Sequence, residues 1–354
     1  MADKGSVWRL SEKIVDPGFG VVDSRRFQSR KGVEWMDERV PLFSLDRNSS
    51  TILRGIAILY ILLGHTGYFV WGGAGGVVLF LLLSGYGLDR SREQNGFTRY
   101  WNRRIRKVWF PYFLVALFVL AGWRILDPRV IVCTLLGLDL GQIADPTMWY
   151  ISYILLWYLV YYGLARLALC VKSPAGRRGF LLGGLFVMSL GFRIFSRVGF
   201  WHDASGAYFY TLAFPLGVAL SSLAGLKVRE KTRTLFRMAF LFLTSAYMLG
   251  AYGHVRGELM ALIMGLQPIA VVLAVRLRGG LEKVLLWLGK YSYPIYLFEG
   301  LFLYSRNEVF SQMSCQPLID LTFMAVSITM GLVFWEGVYR KLDDMLPWEK
   351  WIRF

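Results

Sequence analysis

The feature that most limits what this chain can fold into is a succession of apolar runs, each about twenty residues long and poor in charge. Short basic connections separate them. A helix rises about 1.5 Å per residue, so such a run spans the ~30 Å hydrocarbon layer of a bilayer. The runs fall at 52–71, 76–90, 108–126, 148–169, 180–198, 207–226, 235–252, 257–275, 284–304 and 318–339. Of the 354 residues 55% are hydrophobic, and the mean hydropathy is +0.45, too apolar for an ordinary soluble domain. The expected fold class is therefore all-α: a polytopic membrane helical bundle of about ten transmembrane helices.

A net charge of +16 could suggest nucleic acid as a partner, but the placement of the charges argues against it. Alternate connections carry 32 Lys and Arg on one side and 6 on the other, with Arg54 and Lys290 inside spans. By the positive-inside rule both termini are cytoplasmic. The chain then divides into a cytoplasmic arm (1–50), a transmembrane domain (51–340) and a cytoplasmic tail (341–354). The arm is too charged for a cleavable signal, and its Trp8, Phe19 and Trp35 follow no clear period. Cys133, Cys170 and Cys315 lack paired spacing and read as small apolar residues, so no metal site is expected.

Polar residues inside these runs are where chemistry is to be sought. Arg54 and His65 are eleven residues apart. On a helix that is about three turns plus 20°, which puts both on one face about 16 Å apart. The glycine-rich stretch 72–76 reads either as a tight hairpin or as a place where a ligand or helix approaches the backbone. The second run leaves the membrane through Ser84, Gly85, Tyr86 and Gly87. Arg103 and Arg106, spaced i, i+3, would point the same way on a helix. Guanidinium forks suit phosphate, although inside positive charge alone would also fill this loop. His65 taken alone fits a hydrogen bond between helices as well as it fits catalysis.

Together these residues resemble the acyltransferase-3 family. The likeness rests on Arg54-Gly55-Ile56-Ala57, His65, Gly75-Gly76-Val77, Phe80, Ser84-Gly85-Tyr86 and the Arg103-x-x-Arg106 pair before Pro111. It continues with Trp149-Tyr150, with the stretch from Leu288 through Tyr293-Pro294 to Leu297, and with Glu336. Two departures stand out. Glu299 occupies a position where many relatives have His, and Gly337-Val338 replaces a basic–Pro pair, a change expected to affect only how the helix ends. Only fourteen residues follow position 340, so no appended soluble domain is expected.

The resemblance implies an integral O-acyltransferase of a bacterial plasma membrane, with no bound cofactor and with cytoplasmic acyl-CoA, in particular acetyl-CoA, as donor. The acceptor would be a hydroxyl of a cell-surface or lipid-linked saccharide. Arg103 and Arg106 would hold the donor's phosphates, Arg54 would position it, and Ser84 and Tyr86 would contact its cytoplasmic part. Neutral His65 would take the acceptor's proton in mid-membrane, since imidazole has a suitable pKa. An acyl-imidazole route is left open. Glu299, at a similar depth, is the carboxylate expected to orient His65. Trp149, Tyr150, Trp201, His202 and Asp203 are expected near the outer face, where the aromatics read first as membrane anchors; Trp149, His202 and Asp203 are the candidate acceptor contacts, and Glu258 either lines the same entrance or is solvated. Membrane lipids are the other expected partners, and a homo-oligomer is compatible with the sequence. The rival reading is a transporter or flippase that uses His65, Glu299 and Arg54 as a relay, but no internal repeat supports it.

Overall fold

The structure, a computed structural model, describes residues 39–348 except 70, 139–142, 198–209, 252–256, 276 and 310–314; side chains 195–197, 251 and 304–309 are also set aside. The described residues are overwhelmingly helical. In chain order the helices are α1 (Arg47–His65), α2 (Gly72–Asn95), α3 (Tyr100–Gly122), α4 (Pro128–Leu136), α5 (Pro146–Cys170) and α6 (Pro174–Arg197). They continue as α7 (Ala213–Leu223), α8 (Glu230–Ala251), α9 (Glu258–Ala274), α10 (Gly280–Val309) and α11 (Gln316–Met345). Among the described residues, α2, α3, α5 and α11 are both long and apolar enough to cross a membrane. Each of the ten apolar runs falls on a helix; α4 is an addition, a short helix capped by Asp127 and started by Pro128.

Three boundaries differ from expectation, each for a local reason. Helix α1 begins at Arg47, five residues early, because Asp46 caps it by accepting the Ser49 N–H at 2.6 Å. It also ends early, at His65. Thr66 Oγ1 bonds back to the Leu63 carbonyl, and Gly67 then takes a left-handed φ of +83° that other residues avoid. The glycines at 72–76 do not form the turn; they open α2. Their role is close packing, since a Cβ on Gly76 would press into the Ala57 carbonyl of α1. Helix α2 then runs unbroken through Ser84, Gly85, Tyr86 and Gly87 to Asn95.

The bundle is organised by backbone contact. Helix α1 packs on α2 and α10, while α2 also packs on α7 and α9. Gly55 of α1 and Gly289 of α10 face each other's helix so closely that a Cβ on either would meet a carbonyl oxygen, of Leu285 or of Thr51. Gly85 and Gly217 do the same between α2 and α7. Small residues at crossings are how helices associate where lipid removes the hydrophobic drive. Between α2, α5, α6 and α7 sits a buried carboxylate, Asp89, which accepts from Tyr161 Oη at 2.6 Å, from Arg92 at 3.1 Å, and from Arg178 and Ser221. A buried charge requires that degree of satisfaction. A two-strand ladder, Val40–Pro41 against Lys227–Val228, ties the segment before α1 to the α7–α8 connection.

Large apolar side chains stand on the outside. Leu159, Val187, Phe242 and Leu321 are all more than half exposed. A surface this rich in outward-facing apolar residues suits hydrocarbon rather than water.

Candidate active site

Two cavities lie along α1, the larger beside Arg54 at its middle and the smaller beside Ile61 and His65 at its end. The larger, about 570 Å³, is lined by five cationic residues: Arg54, Arg103, Arg104, Lys107 and Lys290. Among the described residues no carboxylate lines it. Arg54 sits within the bundle yet is exposed, because its side chain opens onto this space. Arg104 lies 4.6 Å from the centre of the Tyr100 ring, and Arg103 Nη1 donates to Ser91 Oγ at 3.0 Å. Lys290 donates to Tyr291 Oη at 2.7 Å and lies 3.6 Å from Glu336, so it is partly neutralised. Ser84, Tyr150, Tyr158 and Tyr293 complete much of the wall.

The arginine pair does not act as a pair. Arg103 faces the cavity, whereas Arg106 turns to Asp343 of α11 and makes a two-pronged ion pair, Nε to Oδ1 at 2.5 Å and Nη2 to Oδ2 at 2.8 Å. The cause is a π turn at Ile105–Trp109 within α3. Its wider turn breaks the i, i+3 alignment that a regular helix would give. Arg104 and Lys107 reach the cavity instead. A matching π turn at Trp335–Tyr339 carries α11 on to Met345, so Gly337-Val338 does not end the helix; with no proline there, the backbone N–H groups needed to continue remain. Tyr86 is likewise not at the cavity. It is buried, packs edge-on against Phe43 and accepts the Leu45 N–H at 3.1 Å.

The smaller cavity, about 300 Å³, holds His65. His65 is the last residue of α1 rather than a mid-helix residue, and its side chain is about one-third exposed. Its Nδ1 lies in direct contact with Glu299 Oε1 of α10, a contact that is an ion pair only when His65 is protonated, and Glu299 is completely buried. Equal depth in the sequence thus corresponds to direct contact. Trp149 lines the same cavity and stacks on Tyr210, with ring centres 5.5 Å apart at 24°. Tyr150, expected beside Trp149 near the outer face, lines the basic cavity instead. Consecutive residues on a helix point about 100° apart, so the two neighbours serve different spaces. Glu258 pairs with Arg193 at 2.8 Å and does not line the His65 cavity. His202 and Asp203, with Trp201, lie outside the described residues.

One carboxylate beside this site gave no sequence signal beyond an Asp before a proline. Asp145 is fully buried, and its Oδ1 accepts from Thr147 N at 2.9 Å and Thr147 Oγ1 at 2.7 Å, capping the start of α5. A Cβ on Gly300 would lie 2.8 Å from Asp145 Oδ2, so glycine after Glu299 is what lets the loop come this close. Burial, with a further push from the Glu299 charge, raises the Asp145 carboxyl to about 6 from 3.8. The folded protein therefore keeps a proton there that the unfolded chain releases near 3.8, and stability falls as pH rises from about 4 to about 6. The loss is about 3 kcal/mol. Thermal unfolding at pH 4.5 and pH 7 should show this component in wild type and its absence in Asp145→Asn, with His65 and Glu299 common to both.

Comparison with known proteins bears on this geometry. The sequence profile of an acyltransferase domain, acyltransferase-3, matches residues 47–335, most of the chain and all of the elements that build both cavities. The chain belongs to the acyltransferase-3 family. Neither a curated protein nor a solved structure matched it. Family membership favours acyl transfer over the transporter reading, and with its long apolar helices it makes this a membrane acyltransferase.

Proposed function

We propose that the protein moves an acyl group, in particular acetyl, from cytoplasmic acyl-CoA to a hydroxyl of a cell-surface or lipid-linked saccharide, with His65 as general base. The observation that carries the donor assignment is the basic cavity: five cations and, among the described residues, no lining carboxylate. CoA carries a pyrophosphate and a 3′-phosphate, and guanidinium and ammonium groups are the complement for such a ligand. The positive-inside reading supports cytoplasmic termini in a bacterial plasma membrane crossed about ten times, so this mouth faces the compartment where acyl-CoA is made.

The reaction follows from the His65–Glu299 contact. A proton on Nδ1 donates to the Glu299 carboxylate, leaving the lone pair on Nε2. The acceptor O–H gives its proton to Nε2 while its oxygen bonds to the thioester carbonyl carbon. The C–S bond then breaks, and the CoA thiolate takes the proton back from the imidazolium. Glu299 stabilises that imidazolium through the step without itself needing to take the proton. The stacked Trp149 and Tyr210 offer an aromatic platform for the sugar face. His202 and Asp203 remain candidates for further acceptor contacts.

CoA binding to the purified protein tests the donor assignment. Charge-assisted bonds contribute about 1.5–3 kcal/mol each, so Arg103→Ala, and Arg104→Ala separately, should weaken affinity by about 10- to 150-fold. Arg106→Ala should change CoA affinity far less, because its charge is already used by Asp343. Unchanged affinity in the Arg103 and Arg104 variants would remove the donor assignment.

A further inference from the structure

Among the described residues, Tyr296 is the only one that lines both cavities. It is held from each side. Its hydroxyl donates to the carbonyl oxygen of Thr147, which lines the His65 cavity. Its ring meets Tyr150, a wall residue of the basic cavity, edge-to-face with centres 5.6 Å apart at 77°. Tyr296 itself is 7% exposed. It stands on α10 three residues before Glu299, nearly one turn away, so the side chain between the cavities and the carboxylate on His65 are positioned by the same stretch of helix.

This arrangement has a consequence for the acyl group. The donor's phosphates belong in one cavity and the base is in the other, so the thioester must move past the Tyr296 ring to react. We infer that Tyr296 is the acyl-length selector and gate of this enzyme. The inference rests on the donor and base assignments above. With the ring in place a short acyl group such as acetyl passes, while a long alkyl chain meets the Tyr296–Tyr150 pair. The same ring closes the thioester off from water that reaches the partly exposed His65. A site that excludes water in this way suppresses hydrolysis of a reactive donor. The Thr147 hydrogen bond fixes the ring in the closed position, and breaking that bond lets it swing.

The test compares wild type, Tyr296→Phe and Tyr296→Ala with acetyl-, butyryl- and octanoyl-CoA, scoring both transfer and free CoA released without acceptor. Differences of one methylene in an apolar pocket change kcat/KM by about 10-fold or more. Tyr296→Ala should therefore raise the octanoyl-to-acetyl ratio of kcat/KM at least about 10-fold and increase hydrolysis without acceptor. Tyr296→Phe keeps the ring but loses its bond to Thr147, so it should shift the chain-length ratio and the hydrolysis in the same direction as Tyr296→Ala but by less. An Ala variant with the wild-type ratio and no added hydrolysis would overturn the selector role while wild-type turnover left the donor assignment standing. Absence of CoA binding and turnover in wild type would overturn the donor assignment instead.

A second measurement needs no turnover. Ala74 lines the His65 cavity, and the native thiols are Cys133, Cys170 and Cys315. In oriented vesicles, with those three replaced by serine, Ala74→Cys is exposed to a membrane-impermeant thiol reagent from the basic side only. The gate predicts slow labelling with Tyr296 present and labelling at least about 10-fold faster with Tyr296→Ala. Equal labelling rates in properly inserted protein would overturn it.

Discussion

Replacing His65 with alanine is expected to slow acyl transfer by about 10²–10⁴-fold, the usual contribution of a positioned general base. CoA affinity should change little, because the basic cavity is built from Arg54, Arg103, Arg104, Lys107 and Lys290 and does not include His65. The effect therefore belongs in kcat rather than in KM. His65 ends α1 with its side chain partly exposed, but its contact with buried Glu299 joins α1 to α10, so His65→Ala leaves that carboxylate without this partner and thermal unfolding of the variant is to be measured beside its kinetics. Steady-state kinetics beside equilibrium CoA binding separate the two contributions. Loss of CoA binding together with turnover would mean that His65 holds the donor and that the base lies elsewhere.

The second large effect is expected at Glu299. Glu299→Gln keeps the size of the side chain but removes the acceptor-only carboxylate opposite His65 Nδ1. An amide can donate to the ring, which favours the tautomer with the proton on Nε2 and so removes the lone pair needed for the acceptor hydroxyl. It also removes the negative charge that stabilises the imidazolium. A loss of about 10²-fold or more in kcat follows, by the logic of a base oriented by a carboxylate. Measured kcat for the single variants and for His65→Ala with Glu299→Gln decides whether the pair acts as a unit. The double variant should be no slower than His65→Ala alone, since the carboxylate works through the imidazole. Additive losses would assign Glu299 a separate role.

The sequence shows the helices well because length and apolarity alone force them, and the ten runs each land on one. It also shows His65 and Glu299 as ionisable groups at similar depth, but depth alone does not bring them together, and the contact is a finding of the fold. Other features depend on register that spacing does not reveal. Arg106 leaves the cavity because one π turn rotates the chain between it and Arg103, and nothing in Arg103-Arg104-Ile105-Arg106 announces that turn. The glycines at 72–76 read equally as a hairpin or as a place of close approach, and only the fold decides for the second, their missing side chains serving the contact between α1 and α2. Trp149 and Tyr150 read as one outer-face pair, but adjacent helical residues face different ways and the two divide between the cavities. Asp145 sits in a connecting segment, where a single carboxylate is ordinarily solvated; only the fold reveals it buried beside Gly300.

Glu299 stands where the resemblance to the family leads one to expect histidine. A histidine at this position could accept from His65, but only a carboxylate adds a full negative charge to stabilise the imidazolium. Asp145, buried nearby, holds its proton up to about pH 6.

Donor and base are proposed to occupy separate cavities joined past one side chain, Tyr296. This arrangement is tested most directly by supplying acetyl-CoA, labelled in the acetyl group, to the basic side only of oriented proteoliposomes containing a saccharide acceptor. The account predicts label in a hydroxyl ester, free CoA remaining on the side of addition, and loss of both products in His65→Ala. Ester formation at the same rate in wild type and His65→Ala would contradict it.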